Sequence, residues 1–147
     1  MKLKNNILAL YYENEQLVIL LKSGNKLNFH FNSLVDGLDD LCMYSGSTLR
    51  GRIESARFLT RARQKPPFVV CPSLVLIPTK SLEHPDCVCL NAHRINKVIR
   101  DGKNCIIIFD TGIELPLHVD KRTIDNQLEI YERLINELAV HQYGLAK

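Results

Sequence analysis

Positions 88 residues apart in this chain repeat one pattern, and that repetition limits what the chain can fold into more than any other feature. Ile7 falls on Ile95, Val18-Ile19-Leu20-Leu21 on Ile106-Ile107-Ile108-Phe109, and Ser23-Gly24 on Thr111-Gly112. Leu27, Phe29, His30 and Phe31 fall on Leu115, Leu117, His118 and Val119, and the overlay needs no gap over about 25 residues. Any two hairpins share alternation. These two also share the turn glycine, the strand phase and a following helical pattern, a combination that chance alternation does not readily produce. Phase matters because a slip of one residue moves every apolar side chain to the opposite face. The expectation is a pseudo-symmetric α+β fold. Two related antiparallel β-hairpin units, each followed by a helix, would cover about residues 7–44 and 95–143 of a single domain spanning 1–147.

The first unit reads as strands Ile7–Tyr12, Gln16–Lys22 and Lys26–Phe31. Glu13-Asn14-Glu15 and Ser23-Gly24-Asn25 separate them, and Gly24 and Asn25 tolerate the positive φ angles of tight turns. In the third strand Leu27, Phe29 and Phe31 alternate with Lys26, Asn28 and His30, the mark of a half-buried strand. A helical pattern follows over Ser33–Tyr44, and another over Thr123–Tyr143 after the second unit. In the latter, Ile124, Leu128, Tyr131, Ile135, Leu138 and Val140 keep close to helical spacing. Thr123 is its expected N-cap and Gly144 its stop. A central basic helix and a short hairpin join the halves. Ser47 is the expected N-cap of a helix to about Ala62, ended by Lys65-Pro66-Pro67. Two short strands, Phe68–Cys71 and Leu74–Ile77, turn at Pro72-Ser73, and Leu90 onward reads as a continuing strand.

A chain of 147 residues, 46% hydrophobic and 24% charged, has the composition of one ordinary globular core and not of a disordered segment. Its amino terminus is polar and no apolar run reaches membrane-spanning length, so neither export nor a membrane span is expected. Five cysteines, an odd number set largely in apolar runs, fit buried thiols and a cytoplasmic location.

The net charge of +3 is small, but its distribution is uneven. Arg50, Arg52, Arg57, Arg61, Arg63 and Lys65 fall within sixteen residues that contain one acid, Glu54. On a helix Arg50, Arg57 and Arg61 share one face, while Ile53, Ala56 and either Leu59 or Phe58 line another. Such a surface suits phosphates, because each one neutralised releases condensed counterions. Arginine also makes forked phosphate contacts and enters narrow minor grooves. A solvated helix face would look the same by charge alone.

Further residues separate the two. Cys42-Met43-Tyr44-Ser45-Gly46-Ser47-Thr48-Leu49-Arg50-Gly51-Arg52 and Lys65-Pro66-Pro67-Phe68-Val69-Val70-Cys71-Pro72 resemble two signature stretches of the competence transcription factor (ComK) family. The likeness continues through Ile77-Pro78-Thr79-Lys80-Ser81, Pro85-Asp86-Cys87, the Gly112 hairpin and Asp125-Asn126-Gln127, and covers roughly residues 40–128. The resemblance implies a transcriptional activator of competence type that binds AT-rich double-stranded DNA, mainly through the minor groove, as a homo-oligomer. It assigns Gly46, Ser47, Gly51, Arg52 and Lys65 to the functional surface. With the basic stretch, the expected DNA-binding residues are Ser47, Arg50, Arg52, Arg57, Arg61, Arg63 and Lys65. The chain departs from the family in having Cys89 and no tryptophan shortly after Cys87, which implies a repacked core or a divergent branch. It also stops soon after its last helix, without the longer tail that carries a recognition segment for adaptor-directed proteolysis. A protein-interaction module that engages a regulatory partner through exposed strand edges, and has lost DNA binding, is the alternative. A basic surface broken up by Asp39, Asp40 and Glu54 would favour it.

His84, Cys87, Cys89 and His93 offer zinc-type ligands within ten residues, but Cys-x-Cys on a strand is not the usual knuckle spacing. No metal and no cofactor are expected. His30 and His118 occupy corresponding repeat positions, which duplication of a structural residue explains. Cys42 near Ser47 lacks an orienting third group, and no G-x-S-x-G, H-E-x-x-H, P-loop or dinucleotide fingerprint occurs. No catalytic residue and no enzymatic activity are expected.

Overall fold

The computed structural model describes residues 2–142. In chain order these form α1 (Lys2–Asn5), β1 (Ile7–Glu13), β2 (Gln16–Leu21), β3 (Lys26–His30), α2 (Leu34–Met43), α3 (Leu49–Thr60), β4 (Phe68–Cys71) and β5 (Leu74–Pro78). Then follow β6 (Val88–Asn91), a 3-10 turn (Ala92–Arg94), β7 (Ile95–Asp101), β8 (Asn104–Phe109), β9 (Glu114–Leu117) and α4 (Lys121–Gln142). All strand pairs are antiparallel, in a six-stranded sheet of order β3-β2-β1-β6-β5-β4 and a three-stranded sheet of order β7-β8-β9. The α+β class read from the sequence is the class observed.

Tight turns set the strand register. Asn14 and Glu15 both take positive φ, 52° and 62°, so β1 and β2 are joined by a two-residue turn whose twist suits adjacent strands. Between β2 and β3 the left-handed residue is Gly24, at φ 90°, not Asn25. Gly24 N–H donates to Leu21 O and Leu21 N–H to Asn25 O, each at 2.9 Å. Gly112, at φ 87°, has the equivalent bonds, Gly112 N–H to Phe109 O and Phe109 N–H to Ile113 O, also 2.9 Å. The ladders are irregular between Ile7 and Ala9 and again between Ile95 and Lys97. The surroundings of the two sets differ: β6, β5 and β4 extend the first into the larger sheet, whereas β7–β9 stand alone.

Three expected boundaries move. The N-cap of α3 is Thr48 instead of Ser47, because Thr48 has the extended backbone and its Oγ1 accepts from Gly51 N–H at 2.9 Å. That helix stops at Thr60, where Arg61 turns left-handed at φ 62° and Thr60 Oγ1 accepts from Ala62 N–H. At α4, Asp120 Oδ1 accepts from Arg122 N–H at 2.8 Å, so the helix starts at Lys121, ahead of Thr123. Gly144 and the far end of the Thr123–Tyr143 pattern lie outside the described residues. The expected continuous strand beyond Leu90 is broken by the 3-10 turn. Fully buried Asn91 explains the break: its Oδ1 accepts from His93 N–H, while its Nδ2 donates to Ile7 O at 2.8 Å and Ser73 O at 3.4 Å.

Both faces of the six-stranded sheet are covered. On one, Leu10, Leu17, Ile19, Phe68, Leu74, Leu76 and Cys89 pack with Leu38 and Cys42 of α2, Leu49 and Ala56 of α3 and Leu134 of α4. Helix α2 comes so close to β2 that a Cβ on Gly37 would lie 2.9 Å from Leu17 Cδ2. On the other face Leu8, Leu20, Ile77 and Leu90 meet Cys105, Ile107, Phe109 and Leu117 of the small sheet and Ile124 of α4. Strand β3 is an edge, so although Leu27 and Phe31 pack on the core, Phe29 remains 43% exposed. Cys89, which stands where the family's tryptophan was expected, is wholly buried in the first cluster.

Candidate nucleic-acid interface

Helix α3 is held by one face. Leu49, Ala56 and Thr60 are buried, Ile53 and Leu59 pack against the core, and this spacing turns Arg50, Glu54, Arg57 and Phe58 outward. The sequence left Phe58 and Leu59 as alternatives for the inner face. Leu59 takes it, and Phe58 is 80% exposed, the most solvent-open large apolar side chain of its helix.

At the C-terminal end of α3 the cations gather. Arg57 Nε donates to Arg63 O at 3.0 Å, which folds the segment after the helix back along it. Arg57, Phe58, Arg61, Ala62 and Arg63 then line an open depression of about 580 Å³ with no carboxylate among its lining residues. Lys65, with positive φ of 47°, is fixed through its carbonyl, which accepts from the buried Gln127 side chain at 2.7 Å. Beside it Ile53, Arg57, Pro66, Ser81 and Glu83 line a smaller cavity of about 160 Å³.

The N-terminal end differs. Arg50 pairs with Glu54 at 3.0 Å, and with side chains 89% and 61% exposed the pair is worth little stability but offsets the cation. The same groove holds Asp36, Asp39 and Glu83. Asp39 Oδ1 accepts from Leu49 N–H at 2.8 Å, and Thr48 takes Gly51 N–H, so two amides of the first turn already have partners. Arg52 turns inward. Its Nη2 donates to Ser45 O at 3.3 Å, and its buried Nε has no partner among the described residues. Ser47 donates weakly to Thr48 O at 3.5 Å, and a Cβ on Gly51 would lie 3.0 Å from Ser47 Oγ, a tight approach that the Ser47 side chain would have to yield to. Gly46 is needed for conformation, at φ 98°. Of the seven residues singled out, the structure therefore brings Arg57, Arg61 and Arg63 together, sets Lys65 alongside, and places Arg50, Arg52 and Ser47 toward the other end.

Cys42, near Arg52, has its thiol pushed up to about 11 by burial, against the lowering influence of the Arg52 charge, which disfavours a nucleophilic thiolate. The histidines and cysteines weighed for zinc are otherwise engaged. His84 Nδ1 accepts from Asp86 N–H, His93 bonds Tyr131 Oη at 2.5 Å and Pro72 O at 3.0 Å, and Cys87 and Cys89 are buried. Among the described residues no group of three His, Cys, Asp or Glu side chains gathers as a metal site. Nor is any described helix long and apolar enough to cross a membrane.

In class, this is a small α+β protein of antiparallel sheets that displays an arginine-rich helix end around an exposed phenylalanine. The chain belongs to the ComK family: the family model, described as ComK protein, matches residues 7–139. The match reaches past the segment 40–128 that carried the resemblance, into β1–β3 and along α4. No curated protein matches the chain. Among solved structures it is similar to a LytTr DNA-binding domain from Bacillus cereus, at 8% identity over 87% of this chain and 83% of the other, with a TM-score of 0.42.

Proposed function

We propose that this protein is a DNA-binding transcriptional regulator of competence type, that it contacts AT-rich duplexes mainly through the minor groove, and that it does so as a homo-oligomer in the cytoplasm. The reading includes a single domain with repeat-like halves, about 7–44 and 95–143, a view supported by the matching turns at Gly24 and Gly112 and the matching ladder irregularities at Ile7/Ala9 and Ile95/Lys97. The observation that carries the function is the depression lined by Arg57, Phe58, Arg61 and Arg63, which has no acid in its lining although Arg57 also borders the groove that holds Glu54 and Glu83. Three guanidinium groups, on the last turn of α3, at its cap and in the segment just after it, neutralise phosphates and fit the enhanced negative potential of a narrow A·T groove. An exposed phenylalanine between them can press between base steps, as apolar wedges of minor-groove proteins do. Ser47, Arg50 and Arg52 would act at the periphery of this surface, and Lys65 at its flank.

The test is fluorescence anisotropy with AT-rich and GC-rich duplexes over a salt series. Preference for the AT duplex and a steep salt slope are expected, with both weakened in Arg57→Ala/Arg61→Ala. A second reading, an interaction module, is favoured by the open edge β3 with Phe29, Met43 and Tyr44 exposed nearby. Folded protein that binds neither duplex at low salt would decide for the module.

A further inference from the structure

The three-stranded sheet buries one face and leaves the other open. Register places Val98, Ile107 and Leu115 level with one another, and Arg100, Cys105 and Leu117 likewise, on the face whose Cys105, Ile107 and Leu117 enter the core. On the opposite face Lys97, Ile108 and Glu114 form one row and Ile99, Ile106 and Pro116 the next, with Asp101 level with Asn104 beyond them. Ile99 is 40% exposed, Ile106 and Ile108 are partly exposed, and Lys97, Asp101 and Glu114 are exposed. None of these three charges joins an ion pair among the described residues.

The first set of strands treats the matching face differently. There the corresponding rows are Ala9, Leu20 and Lys26, and Tyr11, Val18 and Asn28. Ala9, Val18 and Leu20 are buried, and Ala9 and Leu20 share a cluster with Cys105, Ile107 and Phe109. A face that β1–β3 cover against the rest of the molecule is thus left uncovered on β7–β9, where isoleucines replace Val18 and Leu20.

The charges around the uncovered face are self-complementary. Lys97 and Asp101 stand two residues to either side of Ile99 on one edge strand, and Glu114 stands across the sheet from Lys97. A twofold axis parallel to β8 brings Lys97 against Glu114 of a second copy, while one perpendicular to β8 in the sheet plane brings it against Asp101 of that copy. The first axis stacks Ile106 and Ile108 on their counterparts, the second stacks Ile106 on Ile106 and lays Ile108 over Asn104, and both set unlike charges at the rim, the property an isologous interface requires. Face-to-face sheet packing of this kind is a common way to bury such rows.

We propose that the outer face of β7–β9 is the surface through which two copies of this chain associate. The proposal deepens the oligomer reading above and does not depend on DNA, so it is tested without DNA. Sedimentation equilibrium of the intact chain is compared with Lys97→Glu and Ile106→Lys, with circular dichroism confirming that each variant folds. Each variant is expected to weaken dimerisation about tenfold or more, and Lys97→Glu/Glu114→Lys or Lys97→Glu/Asp101→Lys to recover most of it. Wild-type protein that remains monomeric to about 100 µM overturns this surface together with the oligomer reading. Self-association unchanged in both single variants overturns the surface alone and leaves the oligomer reading standing. Recovery in neither charge reversal overturns the facing of these sheets.

Discussion

Arg57 Nε donates to the carbonyl oxygen of Arg63 at 3.0 Å, and this bond turns the end of a helix and the loop after it into one cationic surface. Lysine in place of Arg57 keeps the charge but loses the directed planar donor. In the DNA assay Arg57→Ala is expected to reduce the salt slope by about 1 and weaken binding across sequences. Arg57→Lys should retain the slope while losing affinity. Anisotropy titrations at several salt concentrations separate the two.

Phe58 contributes little to folding, since its side chain is 80% exposed. Phe58→Ala is expected to leave the unfolding midpoint within about 0.5 kcal/mol of wild type. Its effect should fall on DNA, where loss of an apolar wedge between base steps weakens binding to the duplex. Urea denaturation beside the binding titration reads both; a large loss of stability would show that Phe58 packs where it is thought to be displayed.

Asn91 ties β6 to the carbonyls of Ile7 and Ser73 from a fully buried position. Asn91→Leu removes the donors but leaves those carbonyls without partners, so it is expected to destabilise the fold by about 1–3 kcal/mol. Chemical denaturation followed by far-ultraviolet circular dichroism measures it.

Gly37 lets α2 settle on β2, since an added Cβ would lie only 2.9 Å from Leu17 Cδ2 and could not fit without movement. Despite the better helix propensity of alanine, Gly37→Ala should cost about 1–3 kcal/mol through overpacking. An unchanged or raised melting temperature would contradict this packing.

Burial raises the Cys42 thiol from 9.0 to about 11, so the folded state holds its proton more tightly than the unfolded chain. Its contribution is fully present below about pH 9 and is lost as the pH rises toward 11. The urea midpoint should therefore fall between these pH values, and less steeply in Cys42→Ala. At pH 8, Cys42 should also react with iodoacetamide far more slowly in folded than in unfolded protein.

The sequence by itself determined β1, β2, β3, β8 and α2, because their apolar periods are local and the turns beside them are punctuated by Gly24 and Gly112. It also determined the family, through the order of the segments from Cys42 to Gln127, and the presence of a basic helix. Tertiary structure alone decided that β6 would insert between β1 and β5, since strand partners as distant in sequence as Ala9 and Leu90 leave no local trace. It likewise decided which arginines act together. Periodicity can say that Arg50, Arg52, Arg57 and Arg61 belong to a helix, but Glu54 pairs with Arg50, Ser45 draws Arg52 inward, and the Arg61 turn brings Arg63 back to Arg57. A spacing of 49, 53, 56 and 60 for the inner face would have placed Phe58 outside, had the packing partner of Leu59 been known. Local patterns fix backbone conformation because their energetics lie within a few residues. The charge and shape of a surface depend on which distant segments the core brings to it.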